Sequence, residues 1–215
     1  MGYSNLYSEY LRKEFFNSVL VKRNSNKSKV LKSNKFLSFD QSIHQTMADF
    51  NMIIDREEKT IKMLLNLLER NWIEEGYESY REEGRFKIRA HNMLLSYYYN
   101  PQDIGIDSLI TNKTLRKKIN KRVTLFAKVD KVIERADGSI EVIDYKSGYV
   151  RRHADDFPLD LRCALTMILV YYQINLYPSY ISYYYLNYNK KVTKTIRNID
   201  INYAFILMNN FISAN

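Results

Sequence analysis

The sequence predicts an α/β protein: a small mixed β-sheet flanked by helices, with an N-terminal helical region ahead of it. Apolar residues recur at helical spacing through most of the N-terminal half. The spacing then changes to Val- and Ile-rich runs around an Asp137-Gly138 turn. A helical stretch, a second hairpin rich in tyrosine and a closing helix finish the chain. Helices, hairpin, helix, hairpin, helix is the order of an α/β or α+β layout, in which helices cover the sheet.

Each element has a local reason. Residues 3–20 place Leu6, Tyr10, Leu11, Phe15 and Val19 on one helical face. The Asn/Ser/Lys segment from Asn24 to Asn34 reads as a loop or arm. Asp40 is expected to cap a helix beginning at Gln41, which carries Ile43, Met47, Phe50 and Ile54 and runs on through Ile61, Leu64, Leu65 and Leu68. Residues 72–99 form a further helical region, interrupted near Gly76 or Gly84 and ended by Pro101. Residues 122–135 and 139–146 read as paired strands. Helix returns over 155–176. An aromatic-rich strand (180–188), an Asn189-Lys190 turn, a returning strand (191–199) and a closing helix (201–212) complete the order.

Composition narrows the function classes. The chain has 215 residues with 33 Lys+Arg against 24 Asp+Glu, a formal charge of +9, and 46% hydrophobic residues, enough for a real core. Its one cysteine, Cys163, excludes a disulfide framework, a Cys-rich zinc site and a cysteine-ligated iron–sulfur cluster. No apolar run approaches the roughly 18 residues that span a bilayer. Arg12, Lys13 and Glu14 interrupt the N-terminal apolar positions, so no signal peptide is expected and the location is expected to be cytoplasmic. The length suits one domain: a mainly helical part over 1–121, a sheet core over 122–200 and a C-terminal helix over 201–215.

The positive charge is blocked. Lys22 to Lys35 holds six basic residues and no acid, and Lys113 to Arg122 holds Lys113, Arg116, Lys117, Lys118, Lys121 and Arg122, again without an acid. Arg151 and Arg152 form a smaller patch. Between the two large blocks the chain is acidic, with pairs such as Glu57-Glu58 and Glu82-Glu83. Either block alone reads equally well as a solvated face. Two in one chain favour contact with a phosphate backbone.

The strongest local signal is Ile140-Glu141-Val142-Ile143-Asp144-Tyr145-Lys146-Ser147-Gly148. In a strand Val142, Asp144 and Lys146 share one face and Glu141, Ile143 and Tyr145 the other. If the hairpin closes through a three-residue loop with Gly138 left-handed, Arg135 pairs with Ser139 and Asp130 falls opposite Asp144. Carboxylates that close repel unless a cation lies between them, and hard divalent ions take such oxygen ligands. A two-residue loop would pair Asp130 with Tyr145 and remove the coincidence. A surface salt-bridge cluster of Asp130, Asp144 and Lys146 accounts for the same spacing.

Phe126-Ala127-Lys128-Val129-Asp130-Lys131-Val132 and Glu141-Val142-Ile143-Asp144-Tyr145-Lys146-Ser147-Gly148 together resemble the catalytic core of RecB-like nucleases of the PD-(D/E)xK superfamily, including its CRISPR-associated and AddB-type members. Leu37 to His44 is similar to the family's "G-x-x-(I/V)-H" segment, with Asp40 where a Gly is usual. The resemblance implies a restriction-endonuclease-like core. It also implies that His44, Asp130, Asp144 and the backbone carbonyl of Tyr145 bind Mg²⁺ or Mn²⁺, while Lys146 positions or activates the attacking water. Asp130, Asp144 and Lys146 would then be the catalytic set.

Departures are specific. Arg162 and Thr166 stand where the family often has Gln and Tyr of a "Q-x-x-x-Y" helix, and Ala127 replaces a Gly. Tyr10-Leu11 stands where iron–sulfur relatives have Cys-Pro, which implies a cluster-free, minimal member similar to small stand-alone viral nucleases.

The implied function is a metal-dependent deoxyribonuclease of recombination, repair or viral genome processing, acting on single-stranded DNA or DNA ends. If viral, it would work in the host cytoplasm. Lys113, Arg116, Lys117, Lys118, Lys121, Arg122, Arg151, Arg152 and Arg162 are the expected nucleic-acid contacts, and a homo-oligomer would help a small exonuclease stay on its strand. Two alternatives stand beside it: a nuclease-derived DNA- or partner-binding protein with weak or no catalysis, and an RNA-processing nuclease. Tyr97-Tyr98-Tyr99 and Tyr183-Tyr184-Tyr185 could stack unpaired bases or simply pack.

Overall fold

Helix α1 (Lys35–Met52) starts at Asn34, whose extended backbone lets its side chain accept from the Phe36 and Leu37 N–H groups at 3.1 and 3.0 Å. Asp40, the expected cap, lies inside the helix and its carboxylate serves other partners. The computed structural model describes residues 34–104, 107–120, 123–148 and 161–213. The expected helix over 3–20, the arm up to Ser33, the basic residues Lys22–Lys32, Lys121, Arg122, Arg151 and Arg152, and the helix start at 155–160 lie outside them.

The single helix expected from Gln41 through Leu68 is two. α1 ends where Ile53 turns extended, and α2 (Ile61–Asn71) begins afresh with Thr60 as its cap. Between them Asp55 to Lys59 is a charged run with nothing to bury, and Ile54 is fully exposed. Gly76, at φ +95°, makes the next break; Gly84 sits inside α3 (Tyr80–Tyr99). Ser79 caps α3, and Glu82 and Glu83 in its first turn suit the positive end of the helix dipole.

Five strands form one sheet in the order β1 (Asp107–Lys118), β2 (Thr124–Glu134), β3 (Ile140–Lys146), β4 (Tyr180–Tyr185), β5 (Lys190–Thr195). β3 and β4 are parallel, joined by a crossover containing α4 (Leu161–Ile174), and the other neighbours are antiparallel. α5 (Asn198–Ser213) closes the chain. The sheet is thus mixed and helix-flanked, an α/β architecture consistent with a restriction-endonuclease-like fold.

The sheet separates two apolar layers. On one face Phe39, Ile43, Met47, Leu64, Leu68 and Leu94 of α1–α3 pack against Ile133, Ile143, Tyr145 and Tyr184. On the other, Ala164, Leu165, Ile168 and Met208 of α4 and α5 pack against Val132, Val142, Ile181 and Tyr183. Tyr97, Tyr183, Tyr184 and Tyr185 are all buried in these layers, so packing explains them; of the two tyrosine clusters only Tyr99 is largely exposed.

Strand β1 was not legible from the sequence. Among its described residues it buries only Ile110 and Leu115, which share one layer although five apart because the left-handed Asn112 lies between them. A bulge between Ser108 and Ile110 adds a second irregularity, and the strand's lysines are the solvated edge of the sheet. The second hairpin is shorter than expected. β4 gives way to a 3₁₀ turn at Leu186–Tyr188 and Asn189 turns left-handed, while α5 starts at Asn198, where Asp200 accepts the Arg197 N–H at 2.9 Å.

The first hairpin has the three-residue loop. Gly138 is left-handed (φ +76°), the Arg135 N–H donates to the Ser139 carbonyl at 2.9 Å, and Glu134 pairs with Ile140. In that register Lys131 faces Ile143, and Asp130 and Asp144 come next, just past the end of the ladder. Here β2 also kinks: Leu125, Ala127 and Val129 pack on the α4 side, yet so does Val132. Opposite the kink, between the pairs Thr111↔Lys131 and Lys113↔Val129, Asn112 is left-handed (φ +44°). Asp130 sits at this irregularity, out of both regular ladders.

Candidate active site

His44 reaches the kink from α1. Its neighbours Ile43 and Met47 are driven into the core, which sets the rotation of the helix. The imidazole then lies beside Asp40, one turn earlier, and against β2. Nδ1 stands 3.2 Å from Asp130 Oδ1 and Nε2 stands 3.5 Å from Asp40 Oδ1. Burial opposes a charge on His44, but the Asp130 and Asp40 carboxylates override it and raise its pKa to about 10. Asp40 likewise pays for burial yet is pulled down to about 2 by His44, the Ser147 hydroxyl and Lys146.

The two strand carboxylates differ in their company. Asp130 Oδ2 accepts the Tyr145 backbone N–H at 3.0 Å, a side-chain bond that replaces the missing ladder rung. Asp144 Oδ2 takes Lys146 Nζ at 2.8 Å and Arg162 Nη2 at 3.1 Å, from the start of α4. Burial works against its ionisation, but Arg162, Lys146 and His44 hold the Asp144 carboxyl below its ordinary range. Lys146 also lies over the Tyr183 ring, 4.7 Å from its centre. Asp144 Oδ1 is different: it is buried and has no hydrogen-bond partner.

Between these groups is a cavity of about 20 Å³ lined by Lys128, Val129, Asp130, Val142, Ile143, Asp144, Arg162 and Thr166. That is room for about one water-sized guest. Among the described residues no three His, Cys, Asp or Glu side chains form a ready metal cage. His44 is occupied as an imidazolium between two carboxylates, which makes it a donor rather than a ligand until it loses a proton. The donor set nonetheless fits a hard divalent ion, because a bare buried carboxylate oxygen beside a second carboxylate is what such an ion satisfies. Cys163 is buried in α4 outside any disulfide, with its Sγ 3.3 Å from the Tyr183 hydroxyl, and a single cysteine does not supply the ligands of an iron–sulfur cluster.

His44, Asp130, Asp144, Lys146 and Arg162 therefore meet at one place, with the Tyr145 backbone between the carboxylates. The basic block does not converge with them. Alternation along β1 puts Lys113 and Lys117 on the α4 side with Leu115, where Lys117 Nζ lies 4.2 Å from the centre of the Tyr172 ring. Arg116 and Lys118 are on the opposite face.

Sequence reasoning left three neighbours out of the site and named a fourth, Thr166, without giving it a role. Asp40 had a signal, its place four residues before His44 on a helix. Lys128 had another, two residues before Asp130. Thr166 lines the cavity one turn after Arg162. Arg89 of α3, which donates to the Ser147 carbonyl at 2.9 Å and lies over the Phe39 ring, had none.

A family model described as the PD-(D/E)XK nuclease superfamily matches residues 32–197, from two residues before the α1 cap to two residues past β5. No curated protein matches the chain. The match covers most of the sequence and every group around the cavity, and on that ground the chain belongs to the PD-(D/E)XK nuclease superfamily.

Proposed function

We propose that this protein is a metal-dependent deoxyribonuclease that hydrolyses phosphodiester bonds in single-stranded DNA or at DNA ends, in recombination, repair or viral genome processing. The observation that carries the reading is Asp144 Oδ1, a buried acceptor without a partner in a cavity shared with Asp130. His44, Asp130, Asp144 and the Tyr145 carbonyl would hold Mg²⁺ or Mn²⁺. When bound there, the ion would polarise the phosphodiester and lower the pKa of a coordinated water.

The chain's own groups supply the rest. Lys146 Nζ, already 2.8 Å from Asp144, would shift its hydrogen bond to the attacking water or to a non-bridging phosphate oxygen. Arg162 is held charged by Asp144 and would spread its charge over the same phosphate. To become a ligand, His44 gives up the proton it shares with Asp130 and Asp40. Water would attack phosphorus directly as one bridging ester oxygen departs and takes up a proton, with no covalent enzyme intermediate, so no Ser/His or Cys/His pair is required. Lys113, Arg116, Lys117 and Lys118, with Lys121, Arg122, Arg151 and Arg152, would neutralise the DNA backbone, and Lys128 at the cavity wall joins them. A homo-oligomer in the cytoplasm, the host's if the protein is viral, would keep it on its strand.

The test is a cleavage assay of purified protein with Mg²⁺ or Mn²⁺ on linear, circular, single-stranded and double-stranded DNA, with an RNA arm. No cleavage of any DNA sinks the proposal, and cleavage of RNA alone replaces it with the RNA-processing reading. One observation favours a second reading, a nuclease-derived binding protein: two cations, Lys146 and Arg162, already neutralise Asp144. Tight DNA binding without cleavage would select it.

A further inference from the structure

A second charged cluster lies on the sheet face opposite the cavity. Each candidate carboxylate is followed by a residue whose side chain passes to that other face: Lys131 after Asp130, and Tyr145 after Asp144. Both land on Asp103. Lys131 Nζ donates to Asp103 Oδ2 at 2.9 Å and to the Asp103 carbonyl at 3.1 Å. The Tyr145 hydroxyl donates to the same Oδ2, and Tyr97 donates to it at 3.2 Å. Asn51 Nδ2 in turn donates to the Tyr145 hydroxyl at 3.0 Å. Asp103 is 1% exposed, Tyr145 2% and Lys131 9%.

Burying an ion pair under three helices costs desolvation that apolar side chains would avoid. Its position suggests what it is for. The backbone ladder between β2 and β3 ends at Lys131↔Ile143, so the next step along each strand, where Asp130 and Asp144 stand, has no rung to set its spacing. Asp103 clamps one side chain from each strand at that point. Tyr145 is held at both ends, its hydroxyl by Asp103 and its N–H by Asp130 Oδ2. Asp103 itself is fixed by its neighbour: the Gln102 N–H donates to the Tyr184 hydroxyl at 3.2 Å, and the Gln102 side-chain carbonyl accepts the Lys191 N–H at 3.2 Å.

We propose that Asp103 is a positioning residue that sets the separation of Asp130 and Asp144 from the far side of the sheet, so that the two carboxylates are preorganised for a divalent ion. This rests on the nuclease reading above. Asp103 touches neither the cavity nor substrate; it acts through Lys131 and Tyr145.

The test measures Mn²⁺ affinity by titration calorimetry, with the Mn²⁺ electron paramagnetic resonance spectrum as a second readout. The proteins are wild type, the double variant Asp103→Leu/Lys131→Met, and Tyr145→Phe. The double variant removes the clamp without leaving a lone buried charge, so its melting temperature should stay near wild type. Its Mn²⁺ affinity should fall by about 10–100-fold, the usual cost of losing an outer-shell support, with an altered resonance spectrum. Tyr145→Phe, which leaves the ion pair in place, should lose about threefold to tenfold, the worth of one hydrogen bond. Should the double variant fail to fold, Tyr145→Phe decides. Wild-type affinity in the folded variants overturns this role for Asp103 alone, whereas a wild-type protein that binds no Mn²⁺ removes the nuclease reading and this inference with it.

Discussion

Gly76→Ala tests how the helix that carries His44 is seated. Gly76 is at φ +95°, and a Cβ there would stand 2.6 Å from the Asn34 carbonyl carbon, 2.8 Å from Asn34 Cα and 2.8 Å from the Lys35 nitrogen. Those are backbone atoms of the α1 cap, which cannot swing aside as a side-chain tip could. A left-handed L-residue costs about 1–2 kcal/mol, and forced overpacking adds about 1–3 kcal/mol. The expected loss is about 2–5 kcal/mol, or a melting temperature lower by roughly 5–20 °C for a chain of this size. The Ser38 hydroxyl bond to the Glu75 carbonyl, 2.6 Å in the native protein, should go with it. Gly84→Ala is the paired control. A Cβ there meets nothing within 4 Å and the residue is inside α3, so the change should stabilise by about 0.5–1 kcal/mol. Thermal unfolding of both variants by circular dichroism reads the two signs. A Gly76→Ala protein melting within about 2 °C of wild type would refute the reasoning, because the clash and the backbone term would both have to vanish.

Asp144→Asn and Lys146→Ala should each abolish cleavage with little change in the far-ultraviolet circular dichroism spectrum; residual cleavage in either would remove that residue from its proposed role. In the metal-free protein, His44 has its pKa raised to about 10 and Asp40 lowered to about 2. The His44 contribution is therefore full below its ordinary value near 6.5 and is lost as pH rises through about 10, while that of Asp40 is full above its ordinary value near 3.8 and is lost as pH falls through about 2. Urea unfolding should accordingly find His44→Gln most destabilising near pH 5–6 and progressively less so toward pH 10. Added Mn²⁺ should raise the melting temperature of wild type, by about 2.7 kcal/mol of stability at a hundredfold excess over the dissociation constant, and not that of Asp144→Asn. A chelator should reverse both this and cleavage. Lys128→Ala should weaken DNA binding and make the slope of log affinity against log salt shallower by about 0.7–0.9, the share of one phosphate contact.

The hairpin shows why part of the site can be read without coordinates. A left-handed Gly138 closes a three-residue loop, strand alternation then sends Asp144 and Lys146 to one face, and the pairing of Glu134 with Ile140 carries the register to Asp130 and Asp144. Every step is local. The same reading failed at Asp40 because an Asp ahead of an apolar helix looks like a cap, whereas Asn34 caps and Asp40 is spent on His44 and Ser147. It passed over β1 because a bulge and a left-handed Asn112 destroy the alternation that marks a strand.

The sequence by itself determined the fold class and the carboxylate–lysine motif of β3, and narrowed the register of the first hairpin to two loop lengths, between which the left-handed Gly138 and the Glu134↔Ile140 pair decide. Turn chemistry, alternation and composition act over a few residues and do not wait for packing. Only the tertiary structure decided the company those groups keep. His44 reaches Asp130 across 86 residues of chain, and Arg162 arrives at Asp144 from the crossover helix. Asp144 Oδ1 is left bare, and Asp103 gathers Lys131 and Tyr145 beneath the sheet. Burial and ion pairing depend on which distant segments pack together, and no local pattern records that.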